Sequence, residues 1–338
     1  MHTMGMATPA KVSDLDYIQF LLATHTAFSC VEAARTDGAP DNPPAHDAYT
    51  RLLLRQPPDT EALWQETQEH VDKQHGLLVL DDSTLDKPHA RHMALVHKHW
   101  SGKHHKSVWG INLVTLLWTD GGAKLPIDCR LSDAPTSGLS KNDYFQQMLT
   151  TAKERGFTPA YVCFDSWYAG LPNLKVIRGH GWHFLCRLKS NRQVNPDDTG
   201  DLDVGLLSIP AEGRVVHLRG FGSVRVFALV NADMEDPQFW ATSDLDMTEA
   251  KRRQIAGEAL AIEEYHRGLK QCCGVERCCA RQERAQRNHI IWALRAFVRL
   301  EYQRLQTGKS WYESKKQLIR EAIRAYRAKP HLTLPSTA

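Results

Sequence analysis

Two short apolar runs, Leu77–Leu80 and Tyr161–Phe164, each break off at aspartate, in Leu-Asp81-Asp82 and in Phe-Asp165. Runs of this length and composition read as strands covered on both faces. Such a strand holds a charge poorly within its run, whereas its end opens to solvent. Carboxylates there are expected to be fixed by rigid backbone and still reachable. An aspartate after a strand also serves simply as a turn residue. The segments between and after the two runs support an α/β reading. Ser107–Trp118 is rich in β-branched and aromatic residues, and the turn Thr119-Asp120-Gly121-Gly122 leads into Leu125–Leu131 as its hairpin partner. Lys141–Arg155 has the spacing of a helix with Tyr144, Phe145, Met148, Leu149 and Ala152 on one face and Gly156 at its end. Three strands in hairpin order, a helix and a further strand predict an α/β fold built on a mixed sheet.

The flanks read differently. Before residue 76 the pattern is helical, Leu15–Thr36 and Asp59–His75, joined by the Pro-, Gly- and Asp-rich stretch at 36–47, with Asp59 a plausible N-cap. After a short helix at Leu174–Arg178 come four β-like runs, at 182–188, 213–220, 223–231 and 238–244. From Met247 onward helices are expected at Glu249–Gln271, Glu283–Gln306 and Trp311–Arg327.

Charge separates the ends of the chain. From Lys251 to Ala338 there are 19 Lys and Arg against 8 Asp and Glu, a balance of +11 in a chain whose net charge is +3. The preceding part is therefore acidic, and the basic C-terminal quarter suits either a polyanion partner or a solvated helical face. The first residues lack the apolar segment of a signal peptide, and no stretch approaches a membrane span, so a cytoplasmic location with reduced cysteines is expected. The pairs Cys272-Cys273 and Cys278-Cys279 lack standard zinc spacing and read as small packed residues.

A third acidic position joins the two aspartates. In Ile262-Glu-Glu-Tyr-His-Arg-Gly-Leu-Lys-Gln271, the residues Glu263, Arg267 and Lys270 fall at i, i+4 and i+7 beside an apolar stripe of Ile255, Ala259, Ile262, Leu269 and Cys273. A carboxylate with cations one and two turns away could hold a metal and a phosphate from one helix face. The plainer reading is a solvated Glu–Arg pair.

The blocks DDSTLDK at 81–87, FDSWYAG at 164–170 and IEEYHRGLKQ at 262–271, in that order, resemble the three catalytic blocks of DDE transposases of the insertion-sequence-four type. The resemblance runs from about Leu77 to about His289. It implies a ribonuclease-H-like catalytic domain with a β-rich insertion. The expected divisions are a helical N-terminal segment at 1–75 (a candidate for DNA-end binding), the first part of the catalytic domain at 76–182, the insertion at 183–245, the completing segment with the glutamate-bearing helix at 246–290, and a basic helical segment at 291–338. Position by position it implies Asp82, Asp165 and Glu263 as catalytic metal ligands and Lys270 as a phosphate contact. Asp81 competes with Asp82, since neighbouring strand residues face opposite ways. Asp82 is preferred because it directly precedes Ser83 and Thr84, and Glu263 is preferred over Glu264 for its spacing to Lys270. The cofactor implied is Mg²⁺, with Mn²⁺ able to substitute, for a pair of ions clamping the attacking and leaving oxygens of a phosphoryl displacement.

The implied activity is cut-and-paste transposition through a hairpin intermediate, on double-stranded DNA (terminal inverted repeats and target), by a homodimer in a synaptic complex in the bacterial nucleoid. One departure stands out: the signature tyrosine and arginine fall on Ala256 and Ala259. The alternative is therefore a decayed, transposase-derived DNA-binding protein, or an enzyme of reduced activity. Further DNA contacts are expected from Arg267, from Lys103 and Lys106 in the His-rich loop at 97–106, and from Arg277, Arg281 and Arg284, which with Arg287 make a basic helical face. Trp240 is either a stacking platform for an unpaired base or a core aromatic.

Overall fold

A computed structural model describes residues 10–38, 41–90, 92–101, 106–133, 137–229 and 237–332. The chain divides into two compact units. One comprises Met1–Asp59, His92–Ala94 and Arg267–Ala338, the other Thr60–Arg91 and Leu95–His266.

The first unit is helical. Its early part contains α1 (Asp14–Ala23), α2 (Cys30–Arg35) and α3 (His46–Arg55). Ser13 and Asp16 form a capping box that starts α1, and Ser29 caps α2. The single helix expected over Leu15–Thr36 is thus two. Thr24 leaves the helical region with ψ 149°, and its hydroxyl donates to the carbonyl of Ala27, an option Thr offers that competes with the helix ladder.

The second unit begins with α4 (Glu61–Thr67), preceded by Thr60 rather than Asp59. Its strands are β1 (Leu77–Asp86), β2 (His97–Ser101), β3 (Lys106–Thr119) and β4 (Leu125–Ser132), followed by α5 (Lys141–Glu154), β5 (Tyr161–Phe164), α6 (Leu171–Gly179) and β6 (His183–Leu188). Then come β7 (Gln193–Val194), β8 (Leu202–Asp203), β9 (Arg214–Leu218), β10 (Gly222–Leu229), β11 (Gln238–Thr242) and α7 (Glu249–Ala259). The next helix, α8 (Ala261–Cys273), crosses the unit boundary, and α9 (Glu283–Thr307) and α10 (Trp311–Ala328) complete the helical unit.

Among the described residues nine strands form one sheet. From β3 the order runs β1-β5-β6-β11-β10-β9, and both β2 and β4 pair with the other edge of β3. β1, β5 and β6 are mutually parallel and the other pairings are antiparallel. An antiparallel meander, β1-β3-β4, with two parallel strands added beyond β1, is the ribonuclease-H-like mixed α/β arrangement. β6, β11, β10 and β9 continue this same sheet, and among the described residues β7 and β8 form a separate pair. Helix α5 packs on β3 and β4, burying Phe145, Met148 and Leu149 completely. Each such side chain contributes about 1.5–3 kcal/mol relative to exposure.

Three local expectations change. β1 does not stop at Leu80 but continues to Asp86, because β3 is long enough to pair with it as far as Asp86↔Gly110. Asp81 and Asp82 therefore lie within a strand whose neighbour β5 has already ended, and burial drops there from full to partial. The His-rich loop begins as a strand, since His97–Ser101 pair with β3. The helix expected over Glu249–Gln271 is broken at Leu260, whose N–H reaches back to the Gly257 carbonyl at 3.2 Å in a tightened last turn. Glycine at 257 and an exposed Leu260 give little resistance to that break.

Candidate active site

Alternation along β1 sends its two aspartates to different surroundings. Asp82 faces protein donors. Lys141 Nζ donates to Oδ1 and Oδ2 at 2.8 and 3.0 Å, Asn112 Nδ2 to Oδ2 at 2.5 Å, and the Tyr168 hydroxyl to Oδ1 at 2.7 Å. Each partner is held by an element. Lys141 is the first residue of α5, whose start is fixed by the Ser140–Asp143 capping box, Asn112 lies in β3, and Tyr168 follows β5. Burial opposes ionisation of Asp82, but the Lys141 charge and these hydrogen bonds outweigh it and hold the carboxyl below the usual range.

Asp81 instead lines a cleft of about 100 Å³ with Asp165 and Glu263. The parallel register ends at Leu80↔Phe164, so Asp81 and Asp165 come next on adjacent strands. Asp165 lies just beyond β5, and its Oδ1 accepts from the Trp167 N–H at 2.9 Å, which fixes one oxygen. Glu263, exposed in the first turn of α8, supplies the third carboxylate. His266 Nδ1 lies 3.9 Å from Asp81. Desolvation first, then the negative charges of Asp82 and Asp165, raise the Asp81 carboxyl well above its ordinary range, and Glu263 adds to this. Asp165 is raised as well, by desolvation and then by Asp82, against the Trp167 and Tyr168 N–H groups. Among the described residues no group of three or more His, Cys, Asp or Glu is already gathered as a metal site. The donors facing the cleft are nonetheless hard oxygens, two of them raised by desolvation first and then by neighbouring carboxylates, which is chemistry that a divalent cation relieves.

The remaining wall is informative. Ala256 and Ala259 line the cleft, and so do Trp240 and Arg187. The Arg187 guanidinium lies 5.3 Å from the centre of the Trp240 ring, with Arg252 at 5.7 Å and ion-paired to Glu249 at 2.6 Å. Trp240 is half-buried and its Nε1 has no partner among the described residues.

The other expected contacts are scattered. Arg267 is exposed on α8, while Lys270 is half-buried and paired with Glu276 at 2.9 Å. Arg277 and Arg281 are exposed but precede α9, so the continuous helical face expected for Arg277, Arg281, Arg284 and Arg287 does not form. Gly274, at φ +61°, ends the previous helix, and the chain runs irregularly to Gln282. Arg284 is exposed and donates to the Leu54 carbonyl at 3.3 Å, and Arg287 is paired with Glu283. Lys106 is exposed at the start of β3, and Lys103 lies outside the described residues.

Sequence reasoning passed over Lys141, Asn112, Tyr168 and Arg187. A signal existed for the last: Arg187 interrupts the apolar run of β6 at a position of opposite facing to Cys186 and Leu188. The other three become visible only when α5, β3 and the loop after β5 converge.

Comparison with known proteins gives one family. Residues 72–299 match the transposase DDE domain. No curated protein matches the chain. Among solved structures, the Mos1 strand transfer complex aligns with 54% of this chain and 60% of its own, at 12% identity and a TM-score of 0.20. The Drosophila P element transposase strand transfer complex aligns with 96% of this chain and 88% of its own, at 8% identity and a TM-score of 0.30. The match thus spans less than two thirds of the Mos1 chain, and likenesses this distant carry no argument here. The family match covers well over half of the sequence and includes all three carboxylates, and on it the chain belongs to the transposase DDE domain family.

Proposed function

We propose that this chain is a metal-dependent transposase of the insertion-sequence-four type, cutting DNA at transposon ends and joining the freed 3′-hydroxyls to target DNA. The observation that carries this reading is that Asp81, Asp165 and Glu263 line one cleft although they come from a strand, a strand end and a helix. Asp81, rather than the Asp82 preferred on the motif, supplies the first carboxylate in this proposal. The oxygens of Asp82 already accept four hydrogen bonds from Lys141, Asn112 and Tyr168, which leaves Asp82 as the internal anchor of β1.

Mg²⁺, or Mn²⁺ in its place, would supply activation of the attacking oxygen and charge neutralisation of the leaving 3′-oxygen. Asp81, Asp165, with one oxygen fixed by Trp167, and Glu263, in the first turn of α8, would hold the metal. Arg187 is positioned to offset phosphate charge where Ala259 lacks the signature arginine, and Trp240 forms the wall behind it. Lys106, Arg267, Lys270, Arg277, Arg281 and Arg284 are assigned to the DNA backbone. The working form is a homodimer pairing two transposon ends in the bacterial nucleoid.

The test is a strand-transfer assay with terminal-repeat DNA and Mg²⁺. Asp81→Asn, Asp165→Asn and Glu263→Gln should each reduce cleavage and joining to background. Asp82→Asn should lose activity only as far as it loses folded protein. A fully folded, inactive Asp82→Asn beside an active Asp81→Asn reverses the assignment of the first acid. A second reading, a decayed copy that binds DNA without cutting it, is favoured by Ala256 and Ala259 in the cleft wall. Terminal-repeat binding with no metal-dependent cleavage by the wild type selects it.

A further inference from the structure

The helical unit contains a cavity of its own, about 340 Å³ in volume and at the lower end of small-molecule sites. Its walls come from α1, the start of α2, α3 and the link between α8 and α9, all within that unit. Tyr17, Phe28, Leu53 and Leu54 make them largely apolar. The link is held in place from behind. The buried Gln286 amide donates to the Cys278 and Ala280 carbonyls at 3.2 and 2.5 Å, and the Arg281 carbonyl accepts from the Ala94 N–H at 3.0 Å. Gly274 starts the link at φ +61° with the Phe28 ring packed where a Cβ would stand. These contacts fix the link against the cavity without filling it.

Three of the eight cysteines line this cavity, Cys30 from α2 and Cys278 and Cys279 from the link. The adjacent pair, expected only as small packed residues, borders open volume instead. Cys278 is buried, Cys30 half-buried and Cys279 exposed. Burial pushes the Cys30 thiol up, against a hydrogen bond with Thr50, so it stays protonated. Cys279 is the thiol a reagent reaches, and its Sγ donates to the Arg277 carbonyl at 3.6 Å, which holds it at the rim. Two residues on, the exposed Arg281 lines the same cavity and offers N–H donors to an oxygen. A partly open thiol beside a cation is the setting of reactive cysteines. We propose that this cavity is a modification site for an apolar α,β-unsaturated carbonyl compound, such as a quinone or an enal, which seats among the apolar walls and alkylates Cys279. Cys279 gives its proton to water and its sulfur adds to the β-carbon. The displaced π pair moves to the carbonyl oxygen, where Arg281 meets the negative charge, and the enolate then takes up a proton at the α-carbon. One S–C bond forms, the C=C π bond is lost, no group leaves and no oxidant is consumed. The site does not depend on the transposase reading, since it lies wholly in the helical unit and its chemistry needs neither DNA nor metal.

The test follows adducts on the full chain by intact-mass spectrometry, with two reagents that share one unsaturated carbonyl group, N-phenylmaleimide and N-(2-hydroxyethyl)maleimide. Each rate is divided by the same reagent's rate with free cysteine. N-phenylmaleimide should label Cys279 first, with a rate that levels off as the reagent is raised, because it seats before it reacts. Its normalised rate should exceed that of the hydroxyethyl reagent about tenfold, the scale of partly burying an aromatic ring. Cys279→Ser should remove the first adduct and Cys30→Ser should leave it. Arg281→Gln should slow both reagents about tenfold, the scale of one hydrogen bond to a developing charge. Ala280→Leu, which adds bulk to the cavity wall, should erase the preference for the phenyl reagent. Rates linear in both reagents with no phenyl preference, or first labelling of another cysteine, overturn the proposal. So does an Arg281→Gln protein as fast as the wild type, or an unaltered preference in an Ala280→Leu protein that melts like the wild type.

Discussion

At the scale of the residue, Asp81 and Asp82 are the same side chain with opposite energetics. Lys141, Asn112 and Tyr168 stabilise the ionised Asp82, and its pKa is depressed. A depressed carboxylate contributes stability that is complete above its unfolded value, about 4, and is lost as pH falls through the folded value. Asp81 has the reverse sign. Its pKa is raised, so the folded state favours the protonated form and ionisation costs stability as pH rises through that raised value. Asp82→Asn should therefore destabilise the metal-free protein by about 2 kcal/mol at neutral pH, because it leaves the Lys141 ammonium poorly compensated. Asp81→Asn should stabilise it by roughly 1 kcal/mol, with the gain vanishing at low pH. Urea unfolding between pH 4 and pH 8 reads both. Equal signs for the two substitutions would show that the aspartates share one environment.

At the scale of the element, much of the fold was legible. The face of α5 was readable from its spacing and its end from Gly156, and the structure adds the Ser140–Asp143 capping box at its start. That cap has work beyond the helix, since it places Lys141 against Asp82. Ser140→Ala should cost about 1 kcal/mol in a thermal or urea melt, and with Asp82→Asn the combined loss should fall short of the sum. Strict additivity would disconnect the cap from the anchor. What stayed hidden depends on partners distant in sequence. β1 runs on through two aspartates because β3 supplies hydrogen-bond partners up to Gly110, and nothing in DDSTLD announces that. His97–Ser101 is a strand for the same reason. Arg277 and Arg281 have helical spacing but sit after Gly274, where the backbone has already turned. In the proposed site, Asp165 and Glu263 come from block order and spacing, whereas the proposal of Asp81 over Asp82 rests on the face that Lys141 occupies, which no motif letter reports.

At the scale of the whole molecule, the charge separation read from composition acquires specific carriers. Arg267, Arg277, Arg281 and Arg284 are exposed in the helical unit that contains most of the basic C-terminal quarter, from Arg267 onward. If they contact phosphates, duplex affinity should fall steeply with salt, by a slope of about 0.9 for each phosphate neutralised. Arg277→Ala and Arg281→Ala should each reduce that slope by about one across unrelated duplex sequences. An unchanged slope would place duplex DNA elsewhere.

The two-faced β1 also bears on how copies of such a gene lose function. One codon gained or lost between Gly76 and Asp81 shifts the strand by one residue against β3 and exchanges what each aspartate faces. Lys141 would then meet the wrong acid and the cleft the other, with the reading frame intact and every motif letter still present. Inspection for stop codons or missing acids would pass such a copy as sound. On the proposed assignment, length between landmarks, here from Gly76 to the aspartate pair, is a trait to inspect beside the acids themselves.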